Sequence, residues 1–487
     1  MKAAMNKAFL LIGGQSLPSV NGRTFQHINP MSGEPVTQAA SCSPHDVEAA
    51  VAAAAAALPA WSATGPSRRR EVLLRAADLM TAHQGEFTRY MIEETGSTEA
   101  WAAFNVTLGA SVLREAASIT TQVTGEVIPS DVDDNLAISF RQPLGVCVGI
   151  APWNAPVILG IRAIATPLAC GNTIVFKASE ACPAVHRLIG TVLLQAGLPA
   201  GVLNVLTNDP NDGATIVGAL IDHPQVRHIN FTGSTRVGRL IAERAARQLK
   251  PVLLELGGKA PFIVLDDAGI SVAVDAAVFG AFMNQGQICM STGRIIVEDR
   301  VADEFVERLA RKAASLPLND PSKGPMVLGT VIDTSSAEKI SALIEDAVKK
   351  GARLCSGGQR HGTLVQATVL DRVTPEMRIY VEESFGPIVA VIRAANDKEA
   401  LRLANDTEYG LSAAIFSRDF DRAWRMARHV ESGICHINGP TVHDEPQMPF
   451  GGIKASGLGR FGGNAAINEF TVLRWITFQS GPRFYPF

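Results

Sequence analysis

From about residue 145 the chain alternates between short β-branched, apolar runs and longer stretches whose apolar positions recur every three or four residues. The short runs are "GVCVGI" (145–150), "TIVFK" (173–177), "VLNVL" (202–206), "VRHINF" (226–231) and "VLLEL" (252–256). Near-continuous apolar runs of that length predict strands covered on both faces, and the stretches between them predict helices. Strand and helix in turn predict βαβ units and a parallel, doubly wound sheet. A second series begins at "PFIVL" (261–265) and continues through "GRIIVED", "ALIEDAVKKGARL", "EALRLANDTEYGLSAAIFS" and "ICHIN". It predicts a second α/β unit. Upstream, the segment from "HDVEAAVAAAAAALPAWSA" to "SVLREAASITTQV" is rich in Ala and Leu at helical spacing, and is expected to pack on the first sheet.

Two stretches break this rhythm. Residues 128–146 are extended and polar, and the C-terminal "RWITFQSGPRFYPF" carries aromatics with little charge. An uncovered apolar tail of this kind favours pairing with another subunit. The uncharged segment 143–161 is long enough to span a bilayer, but its internal prolines and Asn154 make strand, loop and helix the more economical reading. The opening "MKAAMNKAFLLIGG" resembles a signal peptide only in part, because its apolar run is short and no small-residue cleavage pattern follows.

The 487 residues exceed what one core usually supports, so more than one domain is expected. Forty-four basic and 47 acidic side chains are spread without long runs, which speaks against nucleic acid or an anionic membrane and for a small ligand. Seven cysteines, odd in number and without a CxxC pair, indicate neither a disulfide framework nor a zinc site. A reducing, cytoplasmic setting fits them.

Five short stretches carry candidate chemistry. "FTGSTRVG" (231–238) follows a strand and opens a helix, where Gly233 and Gly238 leave room for a phosphate at the helix N-terminus; Thr235 replaces the middle glycine of the dinucleotide fingerprint. An ordinary strand-to-helix turn reads the same way. "VFKASE" (175–180) places Lys177 and Glu180 beyond a strand end, either to hold ribose hydroxyls while repelling a 2′-phosphate or as a solvated pair. In "LELGGKAP" (254–261), Glu255 precedes Gly257 and Gly258, whose backbone freedom would let the carboxylate be buried as a general base; a strand-end charge reaching solvent is the alternative. "NQGQICMS" (284–291) surrounds Cys289 with Asn284, Gln285 and Gln287, odd choices for a packed core, so its thiol is expected to be partly exposed and nucleophilic rather than inert. Asn154 in "APWNAP" (151–156) is positioned either to donate to an oxyanion or to cap the following helix.

Together these stretches resemble the aldehyde dehydrogenase superfamily over nearly the whole chain. "PWN", "FTGSTRVG", "LELGGK", "GQIC", "EESFGPI" (382–388) and "PFGGIKASGLGR" (449–460) occur in the family's order and spacing. The resemblance implies an NAD-binding domain (1–127 and 147–254), a catalytic domain (255–461) and a small β oligomerisation element (128–146 and 462–487), assembled as a homodimer or homotetramer. It implies Cys289 as nucleophile, Glu255 as the base that activates water, and Asn154 with the Cys289 backbone N–H as oxyanion hole. Trp153, Lys177, Glu180, Gly233, Ser234, Gly238, Leu256, Glu383 and Phe385 would hold the cofactor, NAD in preference to NADP, and no metal is implied. The thiolate would form a thiohemiacetal, hydride would pass to NAD⁺, and water would hydrolyse the thioester.

Departures from the broad pattern narrow the substrate. Ala155 follows "PWN" where many members have a bulky aromatic, and Arg162 precedes Ala163 where many have lysine. With "EAWAAFN" (99–105) and "IRAIATPLACGN" (161–172), the chain is similar to the bacterial branch acting on benzaldehyde, salicylaldehyde or vanillin. Trp101, Phe104, Ile288 and Met290 are expected to form an apolar slot for a ring, with Arg162 meeting a phenolic oxygen. Alternatively, Trp101 and Phe104 are core residues and Arg162 is salt-bridged on a helix. Other readings that stay open are an aliphatic or semialdehyde substrate, acyl transfer to coenzyme A, and an inactive NAD-binding protein of the same fold.

Overall fold

The computed structural model describes residues 5–324 and 326–487 and contains two large sheets. The first has eight strands in the order Gly457–Leu458, Val252–Glu255, Val226–Thr232, Val146–Ile150, Thr173–Lys177, Leu203–Leu206, Leu10–Ile12 and Gln15–Leu17. Its five central strands are parallel, and these are the five runs that read as buried strands from their pattern. Both edges are antiparallel additions. Leu10–Ile12 and Gln15–Leu17 are three residues each, too short to leave an alternation in the sequence. Residues 1–4 of the opening segment lie outside the described residues. The short strand Gly457–Leu458 pairs with Leu254 and Glu255, so the stretch 255–461 lends one strand to the first sheet.

The second sheet has seven strands, ordered Arg353–Ser356, Thr368–Asp371, Ile388–Ala394, Thr292–Glu298, Ala260–Val264, Ser412–Phe416 and Ile434–Ile437. All neighbours are parallel except the first pair. A separate three-stranded sheet joins Glu126–Ile128, Asn135–Pro143 and Thr471–Gln479. Trp475 and Phe478 of its last strand are exposed.

Residues 143–161 form a strand, a turn and the start of the helix Pro156–Ala169. Pro156 sits in the first turn, where its missing N–H costs nothing. Every residue of that helix is buried, which explains why it is apolar all round rather than on one stripe. The helix packs against the helix Glu99–Ser118, and its N-terminal end reaches the turn that carries Asn154. Among the described residues no helix is long and apolar enough to cross a membrane.

Arg294, fully buried in the strand that follows the Cys289 turn, ties the second sheet to the helix Asp397–Asn405. Its guanidinium donates to the carbonyls of Leu403, Ala404 and Asp406 at 2.9–3.0 Å and lies 5.2 Å from the Tyr380 ring centroid. These carbonyls lie at or just past a helix end, where backbone donors run short, and burial makes an unmet acceptor costly. Arg294→Met is expected to lower stability by about 3 kcal/mol or more, seen as a lower urea midpoint. An unchanged midpoint would show that those carbonyls find other donors.

Candidate active site

Cys289 lies in a turn between the helix Ile270–Phe282 and the strand Thr292–Glu298. Three consecutive residues there have left-handed backbone: Asn284 (φ 47°), Gln285 (φ 56°) and Gly286 (φ 69°). The geometry costs energy at the two non-glycine positions, and buried amides hold it in place. Asn284 Nδ2 donates to the Asn154 carbonyl at 3.0 Å, Gln285 Nε2 to the Thr330 carbonyl at 2.9 Å, and Gln287 Oε1 accepts from Ile332 N at 2.9 Å. All three side chains are therefore core residues with specific partners, and their polarity fixes the turn rather than exposing it.

Close backbone packing positions the thiol further. A Cβ on Gly286 would lie 2.2 Å from the Gly386 carbonyl oxygen, and one on Gly258 would lie 2.2 Å from the Cys289 carbonyl oxygen. Gly257 would meet the Glu383 carboxylate at 2.8 Å. Two consecutive glycines after Glu255 predict unusual backbone freedom at Gly257 and Gly258. Neither has a positive φ, and what they supply is space.

Glu255 ends the strand Val252–Glu255, is 1% exposed, and has no hydrogen-bond partner on either oxygen. Burial pushes its carboxyl up to about 8, opposed by the neighbouring Cys289 and Arg162. Cys289 is half-buried, and its thiol is held well above the ordinary value, first by desolvation and then by the Glu255 charge. The two groups thus resist being charged together. Glu383 is anchored by Gly258 N, which donates at 2.9 Å, and burial raises it. Lys259, fully buried, donates to Ser384 Oγ at 3.0 Å and is lowered to about 7, mainly by desolvation and then by Arg294.

Asn154 does not cap the helix behind it; the cap position is Ala155, without a side-chain bond. Its Nδ2 donates to the Gln287 carbonyl at 2.9 Å. A carboxamide has two N–H bonds, so this contact orients the group while leaving the second free.

Three cavities meet at these residues. The largest, about 1030 Å³, is lined by Trp153, Lys177, Glu180, Gly233 and Ser234. Lys177 and Glu180 form an ion pair at its wall, and the helix Thr235–Arg247 begins there, with Ser234 as its cap. Gly233 cannot carry a side chain, because a Cβ would lie 2.4 Å from the Phe231 ring. Gly238 lines none of these cavities; it lets the helix approach Leu256, to which a Cβ would come within 2.4 Å. A second cavity of about 230 Å³ shares Trp153, Gly233 and Ser234 with the first and adds Asn154, Glu255, Leu256, Cys289, Glu383 and Phe385. Trp153 and Phe385 meet edge to face at 5.8 Å.

The third cavity, about 530 Å³, shares Asn154 and Cys289 with the second. Trp101, Phe104, Ile288, Met290 and Phe450 make it largely apolar. Trp101 and Phe104 are stacked at 5.5 Å, and Trp101 Nε1 donates to the Asn154 carbonyl at 2.9 Å, so this aromatic wall is tied to the amide. Arg162 also lines the cavity, bound to Asp444 at 2.5 Å and lying 4.4 Å from the Phe450 ring centroid. No motif in the sequence marks Asp444. It lies 282 residues from Arg162 in a polar loop, and no spacing signals the pairing.

The chain matches the model of the aldehyde dehydrogenase family over residues 18–476. It is 60% identical to a vanillin dehydrogenase of Pseudomonas fluorescens over 98% of this chain and 99% of that one. It is 49% identical to a salicylaldehyde dehydrogenase of Pseudomonas putida over 99% and 100% of the two chains. Its fold is similar to the crystal structure of a salicylaldehyde dehydrogenase from Pseudomonas putida G7 complexed with salicylaldehyde, with a TM-score of 0.98, 48% identity and coverage of 99% and 100%. The chain belongs to the aldehyde dehydrogenase family. It is an enzyme of that class, as the resemblance of its motifs implied.

The Cys289–Glu255 coupling predicts a labelling pattern. At pH 7 iodoacetamide should modify Cys289 more slowly than Cys355, as read by peptide mass spectrometry. At pH 9, where Glu255 is charged, Glu255→Gln should speed Cys289 labelling severalfold, because removing the neighbouring negative charge leaves more of the sulfur as thiolate. Equal rates in the two proteins at pH 9 would show that the charge does not reach the sulfur.

Proposed function

We propose that this chain oxidises an aromatic aldehyde to the carboxylic acid with NAD as electron acceptor, through a covalent adduct on Cys289. The observation that carries this reading is that Cys289 and Asn154 are shared between the apolar cavity and the smaller one that contains Glu255. An aldehyde whose ring occupies the apolar cavity brings its carbonyl carbon to the sulfur at that junction.

The chemistry then follows from what the groups can and cannot do. The thiol is a poor acid here, and the half-buried sulfur reacts as its minority thiolate once its proton has passed to water, which leaves Glu255 unprotonated for the later hydrolysis. The sulfur adds to the carbonyl carbon, the carbonyl π pair moves to oxygen, and a thiohemiacetal oxyanion forms. The free N–H of Asn154 and the Cys289 backbone N–H stabilise that oxyanion, a task suited to donors fixed in advance. Nicotinamide supplies the chemistry of hydride acceptance when bound. On the resulting thioester, Glu255 takes a proton from water, the oxygen attacks the acyl carbon, and the carbon–sulfur bond breaks to release the acid and Cys289.

The residues facing the largest cavity fit a dinucleotide. Gly233 leaves backbone room, and the start of the helix Thr235–Arg247 favours phosphate. Trp153, Leu256, Glu383 and Phe385 would hold the nicotinamide end, and Lys177 with Glu180 the ribose end. The Glu180 carboxylate disfavours a 2′-phosphate, which supports NAD over NADP. Glu255 favours water over coenzyme A as acyl acceptor. A semialdehyde is disfavoured because the only guanidinium lining the apolar cavity is already neutralised by Asp444. The aromatic substrates named for the relatives support a ring in that cavity. Exposed Trp475 and Phe478 favour a homo-oligomer formed through the C-terminal strand, and the seven free cysteines fit the cytoplasm.

The test is kcat/KM across benzaldehydes and short aliphatic aldehydes, with NAD⁺ and NADP⁺ compared. Benzaldehydes with NAD⁺ should be preferred; preference for acetaldehyde would overturn the aromatic reading, and preference for NADP⁺ the cofactor reading. A base must lose its proton to act, so kcat should rise as pH increases through about 8, where Glu255 ionises. Glu255→Gln should remove that rise and lower kcat about a hundredfold or more. A rise that persists in the variant would assign it to another group.

A further inference from the structure

The ion pair at the apolar cavity leaves one oxygen over. Arg162 Nη2 donates to Asp444 Oδ2 at 2.5 Å, while Asp444 Oδ1 is buried without a hydrogen-bond partner. A buried acceptor without a donor is penalised, and folded proteins seldom leave one unless a ligand or water completes it. Asp444 lines the cavity together with the apolar side chains of Trp101, Phe104, Ile288, Met290 and Phe450. Arg162 has no further role as a free cation: its charge is matched by Asp444, and its plane lies against Phe450. His443, at the same cavity, is engaged with Glu445 at 3.0 Å and stays half in solvent.

We propose that Asp444 determines substrate specificity by accepting a hydrogen bond from a hydroxyl on the substrate ring, with Arg162 holding the carboxylate in position. The inference rests on the aromatic reading above and names the ring substituent that reading leaves open. A phenol is the fitting donor: it is neutral, flat enough for an apolar slot, and carries the proton that Oδ1 lacks. A methoxy group has no such proton, and a carboxylate would meet like charge. The hydrogen bond is charge-assisted, which makes it stronger than one between neutral partners. Because Arg162 fixes the carboxylate, the bond orients the ring as well as selecting it.

The experiment compares Asp444→Asn with wild type on hydroxybenzaldehydes and the matching methoxybenzaldehydes. In the variant the amide oxygen must stay toward Arg162, which offers only donors, so the NH₂ group takes the place of Oδ1 and an acceptor becomes a donor. The ratio of kcat/KM for hydroxy over methoxy substrates should fall about tenfold or more, chiefly through KM. An unchanged ratio would overturn the proposal. A measurement on wild type alone covers the case in which the variant does not fold. At one ring position at least, a hydroxyl should raise kcat/KM about tenfold over a methyl group. If hydroxyl and methyl are equivalent at every position, Asp444 does not read the ring. Failure of the aromatic assignment is a separate result, seen when wild type oxidises benzaldehyde no better than hexanal.

Discussion

The structure is organised around a carboxylate and a thiol that share an enclosed space in which neither is comfortable as an anion. Glu255 is buried with neither oxygen in a geometric hydrogen bond, and the half-buried Cys289 lies beside it. In water each would ionise near its ordinary value; here desolvation disfavours both charges, and each charge opposes the other. A group so destabilised is rarely retained for the sake of folding. The arrangement makes sense as a poised pair, in which the proton leaves sulfur only when an electrophile is present to take up the electron density.

Holding that pair requires two sheets. Glu255 ends a strand of the first, Cys289 immediately precedes a strand of the second, and the contact between them is made by backbone rather than by side chains. The Cys289 carbonyl sits where any side chain on Gly258 would be, and the left-handed turn before it is pinned by Asn284, Gln285 and Gln287. The same turn reaches Asn154 twice, through Asn284 and through the Gln287 carbonyl. Trp101 completes the circuit from the apolar cavity. A small displacement of the turn would therefore move Cys289, Asn154 and the Trp101 ring together.

Much of this was legible in the sequence where physics acts locally. Strands covered on both faces are apolar without interruption, so the central strands of the first sheet stood out, whereas the three-residue strands near residues 10 and 15 left no period to read. The polar residues around Cys289 correctly marked an unusual place, although they suggested exposure and turned out to be buried anchors. Gly257 and Gly258 signalled a constraint without saying which kind. The strand-to-helix pattern singled out Gly233, Lys177 and Glu180, which line the largest cavity, whereas Trp153, Leu256, Glu383 and Phe385 were suggested only by resemblance to a family, and Gly238, inside its helix, packs on Leu256 instead of lining the cavity. Asp444 was invisible because a buried ion pair between residues so far apart is a property of the folded chain alone.

The most direct test is to look for the acyl group itself. Glu255→Gln incubated with benzaldehyde and NAD⁺, quenched in acid and digested, should carry a benzoyl thioester on the peptide containing Cys289 and on no other cysteine peptide. Absence of that mass at Cys289 while NADH is formed, or its presence on a different cysteine, would contradict the account.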